Sequence, residues 1–237
     1  MMALTACIGQ TYAQNPGKAL SSQKGDIATL INQLQNIGEG DTGYSSTMTG
    51  SGFLPLGVSQ ASVLVLGQGP TTNATPMRQL VEQGIAAIPG LIAHLNDKRP
   101  TRRTITHNLG LGGMFFEDEY DYNHRTTAKQ PVGVNRGLGH SFQESRHSHT
   151  VTVGDLCFVA LGQIVNRQFN AVRYQPTACI MINSPTDSDA LRAAIVKEWG
   201  NLTPEQHKAS LVQDFLHPDF ENRRIGATLR LGYYYPE

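Results

Sequence analysis

Charge is scarce in this chain. Of 237 residues, 19 are Lys or Arg and 19 are Asp or Glu, which is 16% of the chain with no formal net charge. A neutral balance provides no basic field to attract a polyanion, so nucleic acid is not expected as a partner. The 39% of hydrophobic residues argues against disorder, which depends on low hydrophobicity and high net charge. Long apolar runs are also missing. None reaches the roughly 18 residues of a membrane-spanning helix, so no transmembrane segment is expected. Cysteine is limited to Cys7, Cys157 and Cys179, without the number or spacing of a disulfide framework or a zinc site. Cys157 and Cys179 stand in apolar surroundings (L-C-F and A-C-I) and are expected to be buried free thiols.

The N-terminus reads M-M-A-L-T-A-C. Leu4-Thr5-Ala6-Cys7 is similar to the box that precedes a lipidated cysteine in bacterial lipoproteins, and Thr11 to Gln14 is similar to the tail of a cleavable signal. Both devices need a charged region and a longer apolar stretch upstream, and neither stands before these residues. The expected localisation is therefore cytoplasmic, or exported to the cell envelope if the true start lies upstream. Residues 1–22 are expected to be a flexible segment or signal remnant. Residues 23–237 are long enough for one good core and are expected to form a single helical domain with a loop insertion at 97–149.

Apolar residues at helical spacing predict the elements. Ile27, Leu30, Ile31 and Leu34, behind the cap Asp26 and before Gly38, predict a helix over 26–37. Gly40 to Gly52 is a Gly/Ser/Thr loop. Val58 to Leu66 fits a helix or a strand. Thr75 and Pro76 open a helix whose face begins at Leu80-Val81; Gly84 interrupts it, and a second face runs from Ile85 to Leu95. In the insertion, Arg103 to His107 and His149 to Val153 alternate like short strands and are expected to pair. A helix is expected over 153–167, with Leu156, Val159, Ala160, Ile164 and Val165 inward. Ile180-Met181-Ile182 reads as a strand or the end of a buried segment. Ser188 caps a helix over 189–199 with Leu191, Ala194, Ile195 and Trp199 inward. Thr203-Pro204-Glu205-Gln206 has the pattern of a capping box with Pro in the first turn, opening a helix to about Leu216. A last helix starts near Pro218 and leads to Tyr233-Tyr234-Tyr235, which are expected to pack on that helix rather than form an exposed patch.

The run Leu80-Val81-Glu82-Gln83-Gly84-Ile85-Ala86-Ala87-Ile88-Pro89-Gly90-Leu91-Ile92-Ala93-His94-Leu95 resembles one unit of a HEAT-type helical repeat, in which a helix ends at Gly and the next carries A-I-P-x-L-I-x-x-L. Pro89 falls in the first turn of that second helix, where its missing N–H costs little. Val153 to Arg167 and Arg173-Tyr174-Gln175-Pro176 resemble bacterial proteins of unassigned reaction that carry a HEAT-like region. The resemblance implies a mainly α fold, a HEAT-like helical repeat or α-solenoid-type bundle whose units bury their faces on one another. The insertion is then a long, partly ordered loop with a short β-hairpin.

Residues with chemical potential concentrate in that insertion: His107, Glu117, Asp118, Glu119, Asp121, His124, His140, His147 and His149. Imidazoles and carboxylates in one region are what a divalent metal needs. His147 and His149 fall on the same side of a strand, and His107 and Asp118 complete a candidate set. The alternative is a solvated polar loop whose histidines bond backbone. Gly110-Leu111-Gly112-Gly113 lacks the strand before and the Lys-Ser/Thr helix after that a phosphate loop requires, and reads as turns. Cys157 with His149 and Asp155 suggests a triad, yet the thiol falls on an apolar helix face without an electropositive setting. Asn166, Arg167, Arg173 and Tyr174 are candidates to grip a carboxylate or a peptide. They are equally suited to fixing the loop, with Arg167 or Arg173 paired to Asp155 or Glu144.

The function expected from the sequence is a non-enzymatic helical-repeat scaffold that binds a protein or peptide partner and needs no cofactor. The rival is a hydrolase with a divalent metal such as zinc in the insertion. A third possibility is a small-ligand groove near Arg173.

Overall fold

A computed structural model of the chain describes residues 25–38, 53–56, 75–106, 115–117, 148–174, 180–217 and 221–236. The described residues are mainly helical. Asp26 opens α1 (Ile27–Gln33) by accepting the Thr29 amide at 3.0 Å, and a 3-10 turn over Leu34–Asn36 extends it. Thr75–Glu82 forms α2, and a 3-10 turn over Gly84–Ala87 leads into α3 (Ile88–Ala93), with Pro89 in its first turn. The break at Gly84 has a backbone cause. Its φ is +59° and a Cβ there would lie 2.8 Å from the Tyr234 ring, so conformation and space both favour glycine.

The strands are short. The ribbon of β1 (Pro100–Thr106) and β3 (Ser148–Thr152) is antiparallel, with Ile105 opposite His149 and Thr106 opposite Ser148. This is the hairpin pairing expected across the insertion. A second sheet joins β2 (Phe115–Glu117), β5 (Ile180–Ile182) and β4 (Val172–Tyr174), with β2 parallel and β4 antiparallel to β5. Neither β2 nor β4 is foreshadowed by alternation in the sequence. Each is three residues long and is defined by the strand it meets.

At the centre lies α4 (Val153–Val165), with 12 of its 13 residues buried. Its sequence is apolar nearly all round, which suits a helix enclosed by others rather than one lying on a surface. Phe158 stacks on Phe169 with ring centroids 4.6 Å apart. The described chain continues through α5 (Asp189–Trp199), α6 (Pro204–Leu216) and α7 (Glu221–Tyr234). The inward residues expected on α5 are all buried, and the capping box of α6 is present, with Thr203 and Gln206 bonding each other's backbone amides. Helices on both sides of the insertion share one apolar cluster, from Leu30 and Leu80 through Phe158 to Ile195. Tyr233 and Tyr234 meet Phe53 edge-on, and Tyr234 donates to the Val81 carbonyl. The C-terminal helix is thereby fastened to the N-terminal ones: Tyr233 and Tyr234 pack, but from within the last helix onto distant chain rather than onto that helix. Among the described residues no helix is long and apolar enough to cross a membrane.

Candidate functional site

The junction of β3 and α4 places a histidine against a carboxylate. His149 points inward from the ribbon on the same face as Val151, and both are buried. Its Nε2 lies 3.0 Å from Asp155 Oδ2, and Asp155 is completely buried. The same Oδ2 accepts the Thr152 amide at 2.9 Å, while Thr152 Oγ1 accepts the Asp155 amide at 3.2 Å. This is a capping box whose acid also binds the imidazole. A carboxylate oxygen only accepts, so with the ring neutral Nε2 carries the proton and Nδ1 holds the lone pair. Asp155 Oδ1 has no hydrogen-bond partner among the described residues.

Backbone groups close the helix end. The Val153 and Gly154 amides donate to the carbonyls of Arg99 and Asp97 at 2.9 and 3.0 Å. The first three amides of α4 are thus occupied, and no anion-binding end remains there. The Arg99 guanidinium beside Asp97 holds that carboxyl below its usual range. Cys157 is buried in the apolar cluster, as its surroundings implied, and burial pushes its thiol well above the ordinary range.

Two of the predicted binding residues, Asn166 and Arg167, turn inward. Asn166 ends α4 in the left-handed conformation (φ 58°, ψ 42°). It is buried, and its Nδ2 donates to Asp214 Oδ2 at 2.8 Å and to the Arg223 carbonyl at 3.0 Å. Arg167 Nη1 lies 2.5 Å from Asp214 Oδ2, and its guanidinium carbon sits 5.2 Å from the Trp199 ring centre. Of the two acids expected for Arg167, Asp155 is not its partner, and Glu144 lies outside the described residues. Asp155 is committed to His149 and the helix cap, and Asp214 from α6 takes its place. Arg223 Nη1 also approaches Asp214, at 3.6 Å. Arg230 is buried nearby, donating to the Gln163 and Gly226 carbonyls with its guanidinium carbon 4.8 Å from the Phe53 ring centre. Burial lowers Arg230 to about 10. Asp214 and the backbone carbonyls thus join the ends of α4, α6 and α7 through these guanidinium groups. Arg173 and Tyr174 lie on β4, opposite Met181 and Ile180 in register, and their side chains are outside the described residues.

His107, His147 and Asp118 are also outside the described residues, so His149 is the one member of the expected metal set that the structure places. Among the described residues no group of three His, Cys, Asp or Glu is arranged to hold a metal ion.

A different feature comes from α6. His207, Leu211 and Asp214 are buried on its inner side. Val212, Phe215 and Leu216, at i, i+3 and i+4, are 37%, 47% and 68% exposed. Ile225 on the adjacent α7 is exposed as well. Single exposed apolar residues are ordinary, but a row at helical spacing is a partner signal. The signal is present in the sequence, where Leu211 and Val212 followed by Phe215 and Leu216 supply more apolar residues than one buried face needs. No protein-family model matches the chain, and comparison with curated proteins and with solved structures finds no match.

Proposed function

We propose that the chain is a non-enzymatic interaction module, a HEAT-like helical scaffold that receives a partner's apolar side chains on the outer face of α6. The observation that carries the reading is the exposed row Val212, Phe215 and Leu216 on a helix whose other side is already bound into the core. Anchors at i, i+3 and i+4 are how amphipathic helices meet a partner. The helix–Gly–helix run over 80–95, with Pro89 opening α3, supports the repeat-like part. The inward commitment of Asn166 and Arg167 agrees with binding by apolar contact rather than through those two side chains. Panning a library of helical peptides against the protein tests the reading. Peptides with apolar residues at helical spacing are expected to be enriched by the wild type and not by a Phe215→Ser, Leu216→Ser variant. Equal enrichment by both proteins overturns the reading.

A second reading, a metal-dependent hydrolase using His107, His147, His149 and Asp118 with a divalent metal such as zinc, has one observation in its favour. His149 is hydrogen-bonded through Nε2 to a buried carboxylate, the arrangement that orients a metal-binding imidazole and leaves Nδ1 as the ligand atom. Thr106 faces Ser148 across the ribbon, and His107 and His147 adjoin that pair in the sequence. Elemental analysis of the purified protein decides it. Stoichiometric metal that disappears in a His147→Ala, His149→Ala variant supports this reading, and a fully folded sample without metal eliminates it.

A further inference from the structure

His207 sits where α6 packs on α4 and is buried. Its Nε2 lies 3.0 Å from the Ile164 carbonyl oxygen. A carbonyl only accepts, so Nε2 carries the proton. Its Nδ1 lies 2.9 Å from the Tyr235 hydroxyl, and that hydroxyl lies 3.1 Å from the Pro204 carbonyl. One hydroxyl proton therefore has two acceptors in reach. It serves Nδ1 while the ring is neutral, and turns to Pro204 when the ring gains a proton and Nδ1 becomes a donor. The hydrogen bonds by themselves tolerate protonation.

The charges around the ring do not. Arg167 faces it from the end of α4, and Arg230 and Tyr234 face it from α7. On its own helix, Lys208 lies 5.8 Å from the Tyr235 ring centre, and Glu205 acts on that tyrosine from the first turn. The carboxylate of this cluster, Asp214, is engaged by Arg167 and Asn166. Burial chiefly, with the Arg230 and Arg167 charges adding to it, holds His207 below the ordinary imidazole value. A proton placed there adds a cation between guanidinium groups with little water to screen it.

We propose that His207 is an acid-sensitive latch, and that its protonation releases α6 and the residues after α7 from α4. The packed state resists the proton and the released state accepts it. The latch is therefore closed above the free-imidazole value of 6.5 and weakens as pH falls below it. Because α6 packs chiefly on α7 and only lightly on α4, it can part from α4 locally while Tyr234 keeps α7 fastened to α2, without global unfolding.

Amide hydrogen exchange at pH 7 and pH 5 on the wild type and His207→Gln tests the latch. Glutamine keeps a donor for Ile164 and an acceptor for Tyr235 but does not titrate. The wild type is expected to open α6 more readily than the variant at pH 5, by up to about tenfold for each pH unit below the free value, while α4 amides behave alike in both. Parallel loss of α6 protection in the two proteins overturns the latch. Should the glutamine variant not fold, the wild-type ring signal decides. A ring that stays neutral below 6.5 for as long as α6 is protected supports the latch. One that titrates at or above that value under intact α6 overturns it.

Discussion

Gly226 lies inside α7, where a glycine ordinarily weakens a helix and Gly→Ala gains about 1 kcal/mol. Here the sign is expected to reverse. A Cβ at this position would overlap Asn166 Oδ1 and come within 3.0 Å of Arg230 Nη1. Asn166 has little freedom to retreat, because its Nδ2 is held by Asp214 and the Arg223 carbonyl. Gly226→Ala should therefore lower stability by about 1–3 kcal/mol, seen as an earlier urea midpoint with an unchanged slope. A midpoint equal to or above that of the wild type contradicts the close approach. Asn166 and Arg167 stand out in the sequence as a polar pair at a helix end. Their partner does not, since Asp214 is 48 residues from Asn166 and nothing in local spacing encodes that meeting. The same holds for His149. Its proximity to Asp155 is visible in the sequence, but only the fold shows that one carboxylate serves both the imidazole and the helix cap.

At the level of elements, caps and breakers were legible and short strands were not. Asp26, Ser188 and Thr203 each cap the helix they were expected to cap, because capping is decided within a few residues of the chain. Gly84 marks a helix break for the same local reason, though the Tyr234 ring against it belongs to the far end of the sequence. The ribbon of β1 and β3 was readable from alternation. Of the sheet formed by β2, β4 and β5, only the β5 segment Ile180-Met181-Ile182 was readable as a strand; β2 and β4 carry too little period in three residues, and their pairing comes from distant chain. On α4 the expectation of one buried face understated the burial: Leu161 and Phe158 are enclosed like Leu156 and Ile164. A helix apolar on every side had that message in its sequence. On α6 the reverse applies, because its surplus apolar residues form the exposed row rather than a wider core face.

At the scale of the whole molecule, the described residues are organised around α4, with helices from both sides of the insertion in one core and α7 fastened back onto α2 through Tyr234. A mainly helical fold was accessible from periodicity. The C-terminal closure was less so: three consecutive tyrosines announce packing, but their target is Phe53 and Val81 far back in the chain and not the last helix as expected. At this scale the row on α6 gains its meaning, since the packing that fixes the other side of that helix leaves Phe215 and Leu216 turned outward. Site-specific photo-crosslinking in cells that make the protein natively tests this most directly, with the reactive group placed at Leu216 and, as a control, at the exposed Thr228 of α7. The account predicts a discrete adduct from position 216, absent from 228 and lost when Val212→Ser and Phe215→Ser are added. No adduct at 216, or one that survives those two substitutions, would contradict it.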